Sequence, residues 1–303
     1  ILCSTERVGW SEMSDPAHKS ESALASAPGG RLMLKLAVPS VAAQFINLLY
    51  NIVDRIYIGH IPDIGSTALT GLGVTFPIIT LTSVFAAFAG QGGAPLASIR
   101  MGAGDHEGAE KILGNSVTLL LAFSAVLTAV FLAIQRPVLM AFGASEATIG
   151  YAVDYISIYL LGTVFVQLAL GLNTFITAQG RAMVAMCSVV IGAVMNIVLD
   201  PVFIFAFDMG VRGAAIATVL SQAASALWVV GYLCSRRSGL RIRAANLRPR
   251  RKVIRQVAGL GMAPFIMQST ESLVTVVLNS GLQRYGGDLY VGTLTIIQSV
   301  MQM

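Results

Sequence analysis

Three carboxylates sit inside long apolar stretches of this 303-residue chain: Asp54, Asp200 and Glu271. An acidic residue at the centre of a membrane helix costs about 2.5–3.5 kcal/mol on insertion scales, and chains keep one where an ion, a proton or a substrate needs it. Oxygen-bearing residues recur at helical spacing around the first two. Gln44, Asn47, Asn51 and Asp54 are spaced 3, 4 and 3, which places them on one stripe of a helix, and Tyr50 lies one turn before Asp54. Asn196 and Asp200 are four apart and face the same way. Pro201 follows, and its missing N–H leaves the carbonyl of Ile197 without its helical partner. With Thr218, these groups form a hard-oxygen set suited to Na⁺, or to a proton shared between Asp54 and Asp200. A single Asn or Thr reads more simply as a bridge between helices; two carboxylates at one depth point to function. Arg55 neighbours Asp54 but projects about 100° away on the helix. It can snorkel toward the outer interface or pair with a carboxylate.

The elements that hold these residues are membrane helices. Hydrophobic residues make up 55% of the chain and charged ones 12%, with mean hydropathy +0.74, where a soluble domain averages about 25% charged. A span needs about 20 apolar residues. Seven such stretches fall near 34–59, 69–99, 112–135, 151–177, 183–207, 211–234 and 255–285. An eighth begins near Leu289 and reaches the last residue, Met303, too soon to cross, so the chain is expected to be a fragment or to continue. Residues 1–30 are rich in Ser, Ala, Glu and Gly and read as a mobile tail, not a signal peptide. Cys3, Cys187 and Cys234 lack pair spacing, and His18, His60 and His106 are isolated. No nucleophile–base pair or metal motif appears, and no cofactor is expected, which argues against an enzyme.

Charge sets the orientation. From Ser235 to Arg255 the chain holds nine basic residues and no acidic one. So basic a short loop stays cytoplasmic. Its lack of interleaved aromatics favours topology and anionic lipid over nucleic acid. Six spans precede it, so the N-terminus is cytoplasmic too. Counting at 1.5 Å per residue then puts Asp54 about 12 Å, Asp200 about 15 Å and Thr218 about 12 Å from the outer end of their helices. Three polar side chains thus share one layer. The glycines at 90, 92 and 93 lie within a span with no Lys-Ser/Thr after them, so they suit close helix packing rather than a phosphate loop. Gly102 and Gly104 suit a tight turn.

Several stretches together resemble the multidrug and toxic compound extrusion (MATE) family of cation-coupled transporters. They are GQGGAPLASIRMGAGDHEGAEKILGN (90–115), TAQGRAM (177–183), NIVLDPVFIF (196–205) and GVRGAAIATVLSQ (210–222), and the likeness runs from about Leu32 to the end. The run LYNIVDRIYIGH (49–60) points to the prokaryotic branch with a first-helix aspartate. The resemblance implies an all-α membrane fold of twelve spans in two six-helix lobes. It divides this chain into an N-lobe (31–234), a basic cytoplasmic interlobe loop (235–254) and the start of a C-lobe (255–303). It also implies a cation-binding site at Asp54, Asn196, Asp200 and Thr218. Glu271 fits a C-lobe glutamate of other branches. Gln44, Asn47, Tyr50, Asn51 and Glu271 form a second set of candidate contacts for substrate or a second cation.

The expected function is antiport. Na⁺ or H⁺ binds at the Asp54/Asp200 layer, lipophilic organic cations and drugs leave by alternating access, and a monomer sits in the inner (plasma) membrane among its lipids. Two other readings fit less well. A seven-helix receptor would place the N-terminus outside. A flippase of lipid-linked saccharides has an anionic substrate and would want basic residues within the spans, where Arg55 alone clearly qualifies.

Overall fold

The structure, a computed structural model, describes residues 29–62 and 64–301. All of the regular structure among these residues is helical. Nine α-helices follow one another: α1 (Gly29–Gly59), α2 (Gly65–Gly102), α3 (His106–Ala141), α4 (Ile149–Leu161), α5 (Thr163–Ala178), α6 (Ala182–Pro201), α7 (Gly210–Cys234), α8 (Arg251–Gly286) and α9 (Asp288–Met301). The expected mobile tail, with Cys3 and His18, lies outside the described residues except for Gly29 and Gly30, which open α1. Cys187 and Cys234 are free thiols. His60 bonds through Nδ1 to the Ile56 carbonyl at 2.7 Å, and His106 begins α3.

By length and composition, Gly65–Gly102, His106–Ala141, Ala182–Ala206 and Gly210–Cys234 can each cross a bilayer, and the pair α4–α5 makes a fifth if taken as one span. That pair corrects the expectation of one continuous helix over 151–177. It bends by 59° at Gly162. A Cβ on Gly162 would lie 2.5 Å from the Val219 side chain, so α7 presses on the chain at the one residue without a side chain. The Thr128 hydroxyl of α3 donates to the Leu160 carbonyl at 2.8 Å, a substitute partner where the helical ladder is interrupted. Other boundaries shift more gently. The third helix, expected near 112–135, runs from His106 to Ala141. The eighth helix starts at Arg251, which places Arg251, Lys252 and Arg255 on its first turns.

α2 is the central strut, packed along α3, α5 and α8. Its small residues explain why. A Cβ on Gly90 would meet the Gly171 carbonyl oxygen of α5 at 2.6 Å, one on Gly93 the Phe175 ring at 2.6 Å, and one on Gly92 the Gly261 nitrogen of α8 at 2.9 Å. The expectation of close packing at these glycines holds. Without a hydrophobic drive inside a bilayer, such small-residue contacts are what lets helices associate. The turn at 103–105 also holds: Gly104 adopts φ 77°, a left-handed conformation suited to glycine. Asp105 then caps α3, accepting from the Gly108 N–H at 2.8 Å and pairing with Arg100 at 2.8 Å.

Apolar side chains gather in two clusters. One includes Ile58, Ile78, Leu139, Ile156 and Ile204. The other includes Leu113, Leu172, Phe175, Leu233 and Val257, at the end where the basic loop docks. That loop is strapped down by hydrogen bonds. The Gln179 side-chain oxygen accepts from the Ser238 hydroxyl and the Gly239 N–H, both at 3.0 Å. Asn115 accepts from the Arg250 N–H at 2.6 Å, and Arg243 pairs with Glu110 at 2.9 Å.

Candidate functional site

α1 lies along α6, and the contact brings together the two aspartates that are far apart in sequence. Asp200 is fully buried and Asn196 nearly so. Asn196 Nδ2 donates to Asp200 Oδ1 at 3.1 Å, the i to i+4 pairing that the sequence spacing implies. The carboxyl of Asp54 lies within hydrogen-bond reach of that of Asp200. Three oxygens of this cluster, Asp54 Oδ1, Asp200 Oδ2 and Asn196 Oδ1, are buried without a hydrogen-bond donor among the described residues. A buried polar atom left without a partner is costly, and several acceptors aimed at one point suit a cation or a proton.

Local sequence sets this geometry. Pro201 cannot donate to Ile197, and the chain responds by widening: Val202–Ala206 form a π turn, and the Phe207 N–H bonds back to the Val202 carbonyl at 2.9 Å. The widened turn follows α6, which ends at Pro201, one residue after Asp200. Asp208 follows with φ 52° and Gly210 with φ 53°, which turns the chain into α7.

A cavity of about 280 Å³ opens beside the pair. Asp54, Arg55, Asn47, Tyr50 and Asn51 line it from α1, and Thr218 and Gln222 from α7. Asn51 donates its Nδ2 to the Asn47 carbonyl at 2.7 Å. Asn196 and Thr218 also line a small crevice of about 40 Å³ that shares Asn47, Tyr50, Leu170 and Gln222 with the larger cavity. The larger volume is the one with room for a ligand.

The structure therefore brings together Asp54, Asn196, Asp200 and Thr218, with Asn47, Tyr50 and Asn51 around them. It leaves two candidates apart: Gln44 is exposed on α1, and Glu271 is exposed on α8, where it lines neither space. Arg55 donates from Nη1 to the Thr295 carbonyl of α9 at 2.6 Å, and its guanidinium lies 5.6 Å from the Phe76 ring centroid. These contacts tie Arg55 to α9 and α2.

Sequence reasoning missed the opposite wall. Tyr155 and Tyr159 of α4 line the cavity with their rings stacked at 6.3 Å. The Tyr155 hydroxyl reaches Thr218, and that of Tyr159 reaches Thr82. Their spacing of four was the available signal. Phe76, Thr75, Thr80 and Ser83 of α2 complete that side. Arg212 of α7 and Asp154 of α4 pair at 2.9 Å near the mouth of a separate groove beside Pro62 and Gly210.

Known proteins share this helical arrangement. Residues 39–202 match the family described as MatE. The multidrug export protein MepA of Staphylococcus haemolyticus is 25% identical over 256 residues, which is 84% of this chain and 56% of that protein. Among solved structures, the MATE multidrug transporter DinF-BH superposes with a TM-score of 0.85 at 36% identity, over 89% of this chain and 60% of that one. An inward-facing multidrug resistance MATE transporter of the MOP superfamily superposes with a TM-score of 0.77 at 28% identity, over 87% and 60%. The chain thus spans little more than half the length of the curated relatives it matches.

Proposed function

Because the chain belongs to the MATE family, and is a multi-pass helical membrane protein, we propose that it works in cation-coupled efflux of lipophilic organic cations, with Asp54, Asn196, Asp200 and Thr218 as the coupling site. One observation carries the reading: two neighbouring carboxyls and an amide present three buried acceptor oxygens without a donor among the described residues, and one of those carboxyls, Asp54, lines a polar cavity. Two carboxylates this close repel when both are charged. A proton shared between them, or a Na⁺ among the oxygens, removes the repulsion and supplies the missing partner. Thr218 and Asn196 add neutral oxygens of the kind that hard cations accept.

Coupling follows from competition for the same charge. A carrier with two states shifts only as far as its ligands bind those states differently. An organic cation seated beside Asp54, between the tyrosine wall and the α1 amides, draws on the same negative charge that the ion neutralises. Aromatic faces are also favourable neighbours for cations. Ion binding at the carboxyl pair thus weakens the hold on the drug, and drug release leaves the ion to accompany the return. The widened turn after Pro201 begins two residues after Asp200, so a charge change there acts next to an irregular turn. DinF-BH is described as a multidrug transporter and MepA as a multidrug export protein, and both fit a lipophilic substrate. The lipid-linked saccharide reading is less well supported, since Arg55, the cation lining the cavity, is engaged with Thr295 and Phe76.

The test is transport in proteoliposomes carrying the full-length protein. A cationic dye should move against its gradient when an opposing Na⁺ or pH gradient is imposed, and stop when both are dissipated. Dye movement that ignores both gradients would contradict coupling.

A further inference from the structure

A second groove lies outside the transport cavity, at the basic end of the helices. Its volume is about 460 Å³, and its floor is Gly231 of α7, flanked by Leu227 and Trp228 and closed by Tyr232. Leu227 is 71% exposed and Trp228 43% exposed. The indole is not loose: Nε1 donates to the Val184 carbonyl near the start of α6 at 3.2 Å, which fixes the ring as one wall of the groove. A Cβ on Gly231 would meet nothing within 4 Å, so the floor is open at this residue.

The mouth is cationic. Arg236 and Arg237 line it and are exposed. The Tyr232 hydroxyl donates to the Arg237 carbonyl at 3.5 Å, so the arginine pair is held at the groove's end. No acidic residue occurs between Ser235 and Arg255 to neutralise them.

An apolar trough ending in clustered arginines, with a Trp and a Tyr at the boundary, has the shape and charge to hold an amphiphile: acyl chain along the trough, anionic headgroup at the mouth. We infer that this groove is a specific binding site for an anionic phospholipid, with the chain against Leu227, Trp228 and Gly231 and the phosphate held by Arg236 and Arg237. An inorganic phosphate ion alone would use the arginines but leave the trough empty; a zwitterionic lipid would fill the trough but meet the arginines with a compensating positive charge. The site stands independently of the transport reading.

The experiment is native mass spectrometry of the full-length protein in detergent, titrated with phosphatidylglycerol, with phosphatidylcholine of the same chains, or with inorganic phosphate. Phosphatidylglycerol adducts should be retained in preference to the other two. Substituting Arg236→Gln and Arg237→Gln together should weaken retention about tenfold, and Gly231→Leu should weaken it comparably by filling the trough with all charges intact. Helicity and thermal midpoint in lipid-free detergent should stay unchanged for both variants, since both alter exposed positions. Equal retention of the two lipids, binding of phosphate as tight as that of the lipid, or full retention in Gly231→Leu would each overturn the assignment.

Discussion

At the residue scale, chemistry concentrates where the chain puts acceptors together without donors. Asp200 carries this most clearly: it is fully buried and accepts one hydrogen bond from Asn196, while its second oxygen has no donor among the described residues. The shared face of Asn47, Asn51 and Asp54 on α1 and the Asn196/Asp200 pair were legible from spacing alone, because the helical period of 3.6 turns sequence offsets of three and four into shared faces, while Gln44 at the start of that stripe is exposed. Two things were not legible. The tyrosine wall hides in α4, where Tyr155 and Tyr159 read as ordinary apolar content; only the fold aims their hydroxyls at Thr218 and Thr82. The partner of Arg55 lies 240 residues away, on α9, and no local pattern encodes it. The Tyr155 hydroxyl reaches Thr218, which lines the cavity with Asp54. Tyr155→Phe should therefore weaken the ion dependence of transport by about two- to tenfold, the value of one hydrogen bond at about 0.5–1.5 kcal/mol. Initial rates of dye movement at varied ion concentration would show it; an unchanged ion dependence would remove Tyr155 from the site.

At the element scale, glycine placement decides which helices meet. α2 touches α5 through Gly90 and α8 through Gly92, both at backbone distance. Gly90→Val must part α2 from α5, since the added Cβ falls 2.6 Å from a backbone oxygen that cannot swing aside. Overpacking of this kind costs about 1–3 kcal/mol, so the thermal midpoint in detergent should drop by several degrees. A midpoint equal to the parent's would mean that the helices are not tightly apposed. Sequence reading anticipated this role for the glycines. It did not anticipate the bend at Gly162, because an apolar run over 151–177 with no proline reads as one helix, and Val219 presses on it from a different part of the chain.

The α2–α3 turn carries a pH dependence with a definite sign. The Gly108 N–H first, and then Arg100, hold the Asp105 carboxyl below its usual value of 3.8. A folded value below the unfolded one means that the cap stabilises the turn above about pH 4 and is lost as pH falls through the depressed value. Glu107, in the first turn of α3, pairs with Lys111 four residues on and adds an exposed ion pair to the same segment. Amide hydrogen exchange over 103–109, corrected for its intrinsic pH dependence, should be slow from about pH 5 to 7 and quicken below about pH 4. In Asp105→Ala it should be fast throughout, and protection in that variant equal to the parent's would argue against the cap.

At the scale of the whole molecule, apolar side chains form two clusters, the polar cavity is walled partly by the first, and the basic loop is tied to one end by Gln179, Asn115 and Glu110. The charge bias predicts that this end faces the cytoplasm. In a background free of native cysteines, a membrane-impermeant thiol reagent applied to intact cells should label Arg136→Cys and spare Arg237→Cys. The reverse pattern would invert the topology and move the carboxyl layer to the inner half.

The most direct test of the coupling site joins residue and molecule. Asp200→Asn keeps the size of the side chain and a hydrogen-bonding oxygen while removing the charge that a proton or Na⁺ would neutralise. In proteoliposomes with the full-length protein, the expected result is that dye movement no longer responds to an imposed Na⁺ or pH gradient, although the variant retains its fold by circular dichroism. Full gradient-driven efflux by Asp200→Asn would contradict the proposal that the Asp54/Asp200 pair couples ion and drug.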